Sequence, residues 1–467
     1  MNINLKHEIP LTLGEARPVK YEVRLKGELT EELVRELSEL KGEPEWMLNL
    51  RLRALEWFHK LPMPKWVRGV EELDLSRLVL YSKPKGSLAT EWGDVPPEIR
   101  RYYEALGIPE QEAKLLSGIN ATFGSESIYS KLRDSLRSKG VIMMPTEEAV
   151  RKYPELVRKY FGRVFPYTDH KFAALHTAFW SGGAFVYVPP NVRIDQPLEA
   201  LFLIGSPLEG QFEHTLIIAG ENSYLNFIEA CAAPRYSGES FHDGMVEIYA
   251  HRGATVKFTT IQNWSKNVIN FGNKRAILEE GARVDWMIGS LGSKVSYEYP
   301  MSVMKGAGSS SQAIMVSIAK GPYIKDGGAK MIHAAPNTKS RIVSKSISGD
   351  GGLTIYRGLI KVLRRAANSF AHAECDSLIL DNSSQSFTYP HNQVDEPTST
   401  VIHEATAGRL GEEQLFYLLS RGLSEAEAKS LAVMGFLDDL LIQLPFEYAN
   451  ILRSVIEVEF SRLGGVG

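Results

Sequence analysis

Between about residues 170 and 400 the hydrophobic period of this chain is two, and no helical stretch separates one alternating run from the next. "MVEIYAH" alternates Val246, Ile248 and Ala250 with Glu247, Tyr249 and His251, "TVKFTTI" repeats the pattern with Val256 and Phe258, and "RVDWMI" with Val284, Trp286 and Ile288. Successive side chains of a strand point to opposite faces, so each run offers one apolar face. Strands without crossover helices cannot be βαβ units. A sandwich or a barrel remains admissible. Short turns, however, precede many runs ("HRGATV", then "EEGARV"), and Gly253 and Gly281 are 28 positions apart. Alternating strands with turns at such coarse intervals suit a β-helix better: each coil rests on the one before, and alternate side chains fill a central core.

The flanks have another period. "TEELVRELSEL", "PEWMLNLRLRALEWFHKL" and "SESIYSKLRDSLRSKG" space apolar residues by three and four, which predicts helices. "WGDVPPEIRRYYEALGIPEQEAKLLSG" reads as two short helices punctuated by proline and glycine. After Gly411, "GEEQLFYLLSRG" predicts a helix ending at Gly422. Ser424 and Glu427 form a capping box that opens "SEAEAKSLAVMGFLDDLLIQL". A last helix is predicted from about Phe446 to Leu463, with Ile451, Val455 and Val458 on its apolar side. The expected division is a mainly helical N-terminal domain over 1–165, a β-helix over 166–408 and a helical domain over 409–467.

Composition removes several classes of function. A net charge of −3 provides no field for nucleic acid or an anionic membrane. The start of the chain has no apolar signal core and no run is long enough to span a bilayer, so a cytoplasmic protein is expected. Two cysteines in 467 residues make no disulfide framework and fit a reducing compartment. No P-loop is present, so the chain should not hydrolyse ATP alone. HExxH, GxSxG and GxGxxG are also missing. "SGGAFVYVP" runs into a strand rather than a helix N-terminus, which disfavours a phosphate cradle. A β-helix polysaccharide enzyme would need paired carboxylates or a calcium cluster on one face, and the spacing of Asp376, Asp381, Asp395 and Glu396 does not force that.

The thiols are the candidate chemistry. Cys231 follows an apolar run in "YLNFIEACAAP" and reads most simply as a small buried hydrophobe. Cys375 lies in the alternating stretch "HAECDSLIL", on the face opposite Leu378 and Leu380. If Ala373 and Cys375 point outward, Cys375 is a surface thiol beside Glu374 and Asp376, a liability unless it is used. His372 and the pair His403–Glu404 are unremarkable singly. Cys375 and His403, however, are separated by the same 28 positions as the two turn glycines, so one coil could stack them.

Eight blocks from about residue 28 to 463 carry a family resemblance. They are "EPEWMLNLRLRA", "WGDVPPEIRRYYEALGIPEQEAKLLSG", "KFAALHTAFWSGGAFVYVP", "TTIQNW", "KMIHAAPNTKSRIVSKSISG", "YRGLIKV", "ECDSL" and "HEAT" with "RLGEEQLFYLLSRGLSEAEA". In order and almost end to end, they resemble the SufB branch of the SufB/SufD family, the scaffold subunits of the SUF iron–sulfur cluster assembly machinery. The resemblance implies a central right-handed parallel β-helix between helical domains, and no turnover enzyme. Implied partners are the ABC-type ATPase SufC, a sulfur donor, and SufD or a second copy of this chain; the C-terminal helices, with Phe436 and Leu437, would face SufC. Cys375 matches the cluster-building thiolate, Glu404 the acidic residue that helps to bind iron, His403 the histidine before it, and Cys231 the cysteine that first takes sulfur and passes it through the β-helix. Ile402 departs from the family, where a second acid often precedes the histidine. The implied cargo is a transient cluster, [2Fe–2S] or [4Fe–4S]; a flavin is left open, since no dinucleotide motif supports one. Too few ligands in one chain point to a site shared across a dimer through roughly residues 365–405. The other reading is a SufD-like structural partner that holds SufC and carries no cluster.

Overall fold

The computed structural model describes residues 13, 15–16, 18–71, 73–106, 108, 115–443 and 453. The alternating runs form a parallel β-solenoid of about eight turns. Its coils stack in register: Tyr224 pairs with Thr255, Thr255 with Arg283, Arg283 with Ser310, Ser310 with Lys339, Lys339 with Phe370 and Phe370 with Thr400. One wall is a ten-stranded sheet from Glu126–Leu132 to Thr400–Arg409. The other begins at Ile142–Pro145 and carries Gln385–Val394 on Leu353–Val362 at its far end. Gly253 and Gly281 turn with φ of 68° and 64°, a left-handed backbone that glycine adopts without a Cβ penalty. Each precedes one of the paired strands Thr255–Trp264 and Arg283–Gly292, so their spacing is one full coil.

Between the walls, like stacks on like. Phe227 lies against Phe258 with ring centroids 5.7 Å apart, and Phe258 against Trp286 at 5.3 Å. Each such fully buried side chain contributes about 1.5–3 kcal/mol. Two inner columns are polar instead. On the ten-stranded wall, register aligns Cys231, Gln262, Ser290, Ser317, Ser346 and Ser377. On the other wall it aligns Gln211, His242, Asn270, Ser296, Lys325, Thr354 and Ser386. The columns meet where the Ser290 and Ser296 hydroxyls lie 3.0 Å apart and where Ser386 donates to Ser377 at 2.9 Å.

The N-terminal region is only partly helical. Glu31–Lys41 and Glu45–Lys60 are helices as their periods require, and Lys171–Phe179 packs on the second. Fully buried Arg51 pairs with Glu43 at 2.6 Å and donates to the carbonyls of Ala178 and Trp180, which locks the three helices together. "SESIYSKL" is not a helix: Glu126–Leu132 is a strand antiparallel to Gly118–Phe123, and only Asp134–Arg137 after it is helical. Ile128, Tyr129 and Leu132 have helical spacing because both faces of this strand are covered. Tyr129, for example, stacks on Trp92 at 4.0 Å. Gly118–Phe123 and Ile142–Pro145 then extend the solenoid walls through Arg193–Leu203 and Ala184–Val188.

At the other end, Glu412–Ser420 is a helix, Gly422 turns with φ of 91°, and the capping box forms. The Ser424 backbone N–H donates to Glu427 Oε2 at 2.8 Å and the Glu427 N–H to Ser424 Oγ at 3.3 Å. In Glu425–Gln443, Val433, Leu437, Leu440 and Leu441 bury themselves on Leu291, Ile314, Val316, Val343 and Ile347. This corrects the expectation for Leu437, which faces the chain's own outer wall; Phe436 is half-buried beneath Lys345 Nζ. The helix expected over 446–463 lies outside the described residues. Leu437→Ala should lower unfolding free energy by about 2–5 kcal/mol in a denaturant titration. A surface role for Leu437 would leave it near zero.

Candidate functional site

The strand Phe370–Ile379 alternates cleanly. Ala371, Ala373, Cys375 and Ser377 are buried toward the interior, while His372, Glu374, Asp376 and Leu378 take the outer face. The Cys375 thiol is therefore inside, at 3% exposure, and not on the surface. Leu378 and Leu380 do lie opposite it, as expected, but outward, because the helix Glu425–Gln443 covers the outer wall there and gives them an apolar partner.

The next coil is 30 positions on, so Cys375 pairs with Ala405 and His403 with Ala373. Cys375 and His403 are diagonal neighbours on the same face, with Sγ and Nε2 3.5 Å apart. Tyr356 completes the corner, its ring edge-on to His403 at 6.4 Å. A Cβ on Gly358 would lie 2.3 Å from the Tyr356 hydroxyl, so only glycine admits that ring. Burial pushes the Cys375 thiol up to about 12; the Tyr356 hydroxyl works against this, and Asp376 and Glu374 add to it. Burial also holds His403 below its ordinary value, with His372 contributing. His403 is thus a neutral imidazole at neutral pH, and its Nδ1 is buried with no hydrogen-bond partner. A neutral imidazole and a thiol that ionises on metal binding are ligands for a soft or borderline cation.

Glu404 is elsewhere. Adjacent residues of a strand point to opposite faces, so it stands outside, in register with Glu374 and 3.8 Å from His372 Nε2. Cys375 with His403, and Glu404 with His372, are two groups on the two faces of one wall.

The family model described as "SUF system FeS cluster assembly, SufBD core domain" matches residues 202–436, and "SufBD protein N-terminal region" matches 36–200. Proteins named iron–sulfur cluster assembly SufBD family protein are 46% identical in Staphylococcus saprophyticus, 47% in Staphylococcus epidermidis and 46% in Staphylococcus aureus, each over 439 residues and 94% of both chains. The chain belongs to the SufBD family. It is an iron–sulfur cluster assembly protein, and among its described residues no helix is long and apolar enough to cross a membrane.

Cys231 of this SufBD protein lies five coils from the Cys375 strand, 1% exposed, between the walls. Burial, then Glu229 and Glu213, raise its thiol well above the usual range. Glu213 and His242, which the sequence reading did not single out, sit beside it, as Tyr356 does beside Cys375. For Glu229, which also acts on this thiol, one signal was available: it shares its parity with Leu225, Phe227 and Cys231, which puts an acid on the buried face.

The raised thiol has a measurable sign. With the protonated form favoured in the fold, alkylation of Cys375 by iodoacetamide should keep rising with pH beyond 9, toward about 12. At neutral pH its thiolate fraction should be about three orders of magnitude below that of a free cysteine. Peptide mass mapping against pH reads this, and Glu374→Gln should increase the rate. A plateau near the ordinary thiol range would contradict the environment described.

Proposed function

We propose that this SufBD protein is the cluster-building scaffold of a cytoplasmic SUF assembly, receiving sulfur and iron and releasing the finished cluster to other proteins. The observation that carries the reading is the Cys375–His403 pair: a sulfur and an imidazole nitrogen 3.5 Å apart, inward, on the last coils of the solenoid. Sulfur arrives as a persulfide: the Cys231 thiolate attacks the outer sulfur of a donor persulfide, which becomes Cys231–S–SH while the donor leaves as thiolate. The two polar columns support a route from there. Cys231 starts one of them, and its other end, Ser377, is two residues from Cys375 and accepts from Ser386 of the other column.

A [2Fe–2S] cluster in its usual form takes four protein ligands, and Cys375 with His403 provides two. A second chain across a two-fold axis would provide the same two again. The last coil is suited to such a contact, since Phe387, Tyr389, Val394 and Ile402 are all more than a third exposed there. SufD in place of the second copy would supply its own ligands. Glu404, outward beside His372, is then a hard ligand for arriving iron rather than a member of the inner pair. Ile402 belongs to the contact surface and not to the iron site.

Anaerobic reconstitution tests the scaffold. Wild-type protein should hold visible absorbance from a cluster, and Cys375→Ser should lose at least nine-tenths of it while keeping its far-ultraviolet dichroism. Light scattering should find the cluster only in dimers; a monomer holding a full cluster would refute the shared site. The second reading, a SufD-like partner without a cluster, is favoured by one observation: Glu404 is turned away from Cys375. Under that reading the wild-type protein reconstitutes nothing.

The ATPase SufC would dock on the helix Glu412–Ser420, where Phe416 is 73% and Tyr417 55% exposed, with Leu431 and Ile442 of the next helix also bare. Phe416→Asp should abolish copurification with the coexpressed ATPase and leave thermal stability unchanged. Unaltered copurification would remove this surface from the assembly.

A further inference from the structure

The first coils hold a second group of ligand atoms. One carboxylate oxygen of Glu213, Cys231 Sγ and a ring nitrogen of His242 all lie within 4.8 Å of one another, and the three residues are buried. Glu213 precedes the strand His214–Ala219, Cys231 sits near the end of Tyr224–Ala232, and His242 near the start of Ser240–Ala250. The two walls thus bring the three together across the interior.

Four features mark this group as a built site. First, His242 is oriented by its other nitrogen. Asn270 donates through Nδ2 to Ser296 and Glu298, so its Oδ1 faces His242 Nδ1 at 2.7 Å and must accept. The proton therefore sits on Nδ1, and Nε2 faces Glu213 Oε1 at 2.5 Å. Metal-ligating histidines are held in this way by a partner on the far nitrogen. Second, Glu213 Oε2 is buried with no hydrogen-bond partner, although the residue is only 1% exposed. Third, among the described residues the buried acids here outnumber the buried lysine that faces them. Glu213, Glu229 and Glu298 are all buried, and Lys274 already engages Glu298 at 3.1 Å and Glu229 at 3.5 Å. Fourth, space is reserved. A Cβ on Gly244 would lie 2.5 Å from Glu213 Oε1 and 2.9 Å from His242 Cε1.

We propose that Glu213, Cys231 and His242 bind one divalent transition-metal cation, Fe2+ or Zn2+, inside the solenoid. Sulfur, imidazole and carboxylate together are a donor set for such borderline cations rather than for Ca2+ or Mg2+. On binding, two protons leave to solvent, the one on Cys231 Sγ and the one shared between His242 Nε2 and Glu213 Oε1, and the sulfur and imidazole lone pairs go to the metal. Two anionic ligands then balance the two charges of the cation, which makes it tolerable in a buried place. The second oxygen of Glu213 is free to take the fourth position. Cys231 serves as ligand or as sulfur acceptor but not as both at once, so the metal must leave before the thiolate attacks a donor persulfide; the site does not depend on whether Cys375 builds a cluster.

The chain has two cysteines, so in Cys375→Ser protein Cys231 is the sole thiol. Anaerobic titration of that full-length variant with Co2+ should saturate at one ion per chain, with near-ultraviolet thiolate-to-cobalt charge transfer and visible bands of a four-coordinate ion. Zn2+ should displace it and raise the melting temperature. Glu213→Gln and His242→Gln should each weaken Co2+ binding at least tenfold. For the Zn2+-loaded protein, X-ray absorption should give one sulfur at about 2.3 Å and nitrogen or oxygen at about 2.0–2.1 Å. This reading needs no further variant to fold. No bound cobalt, cobalt without thiolate charge transfer, or affinity indifferent to Glu213 and His242 would each overturn the proposal. None of these results bears on cluster formation at Cys375, which is read separately by reconstitution.

Discussion

The parallel backbone ladder between successive coils is the constraint on which everything else rests. Once Thr255 pairs with Arg283 and Arg283 with Ser310, every side chain on the wall has a fixed neighbour above and below. The ladder is indifferent to side-chain chemistry, so a column can be apolar, as at Phe227 and Phe258, or polar, as at Ser346 and Ser377. Burial in a column then sets the properties of its members. A thiol placed there is held protonated unless a cation takes its proton, and an imidazole there stays neutral. Cys375 and His403 owe their pairing to register and their ionisation state to burial, and neither owes it to a local motif.

Much of the architecture was legible. Period-two alternation and two glycines one coil apart were enough for the solenoid, because those glycines are the turn residues of consecutive coils. The helices at Glu31–Lys41, Glu45–Lys60 and Glu412–Ser420 followed from their periods. "SESIYSKL" did not, since a strand covered on both faces has lost the alternation that identifies strands. The direction of Cys375 was also illegible. Parity places it opposite Leu378, but which side is inside depends on the helix Glu425–Gln443, some fifty residues later, which makes the outside apolar as well.

The site was legible as residue types and not as a constellation. Stacking of Cys375 with His403 was anticipated from a spacing of 28, yet the coil there is 30 long and the contact is diagonal. The association of Glu404 with them failed on strand parity alone, a rule that could have been applied to neighbouring residues beforehand. Glu213 and His242 could not have been chosen, because they reach Cys231 from the facing wall, and no local pattern reports what lies across an interior.

Coil length varies along the walls. Arg283 to Ser310 spans 27 positions and Lys339 to Phe370 spans 31, yet the columns stay aligned because the difference is absorbed in the turns. Chain length and interior geometry are therefore separate variables in this molecule. Residues can be gained or lost at a turn without disturbing an inner column, whereas one residue added within a strand would invert every side chain after it up to the next turn. Duplicating a whole coil would do neither. It would add one more hydroxyl to the serine column and set the thiols one storey further apart, so the distance between the two cysteines is counted in coils, and the fold can change it only in whole steps.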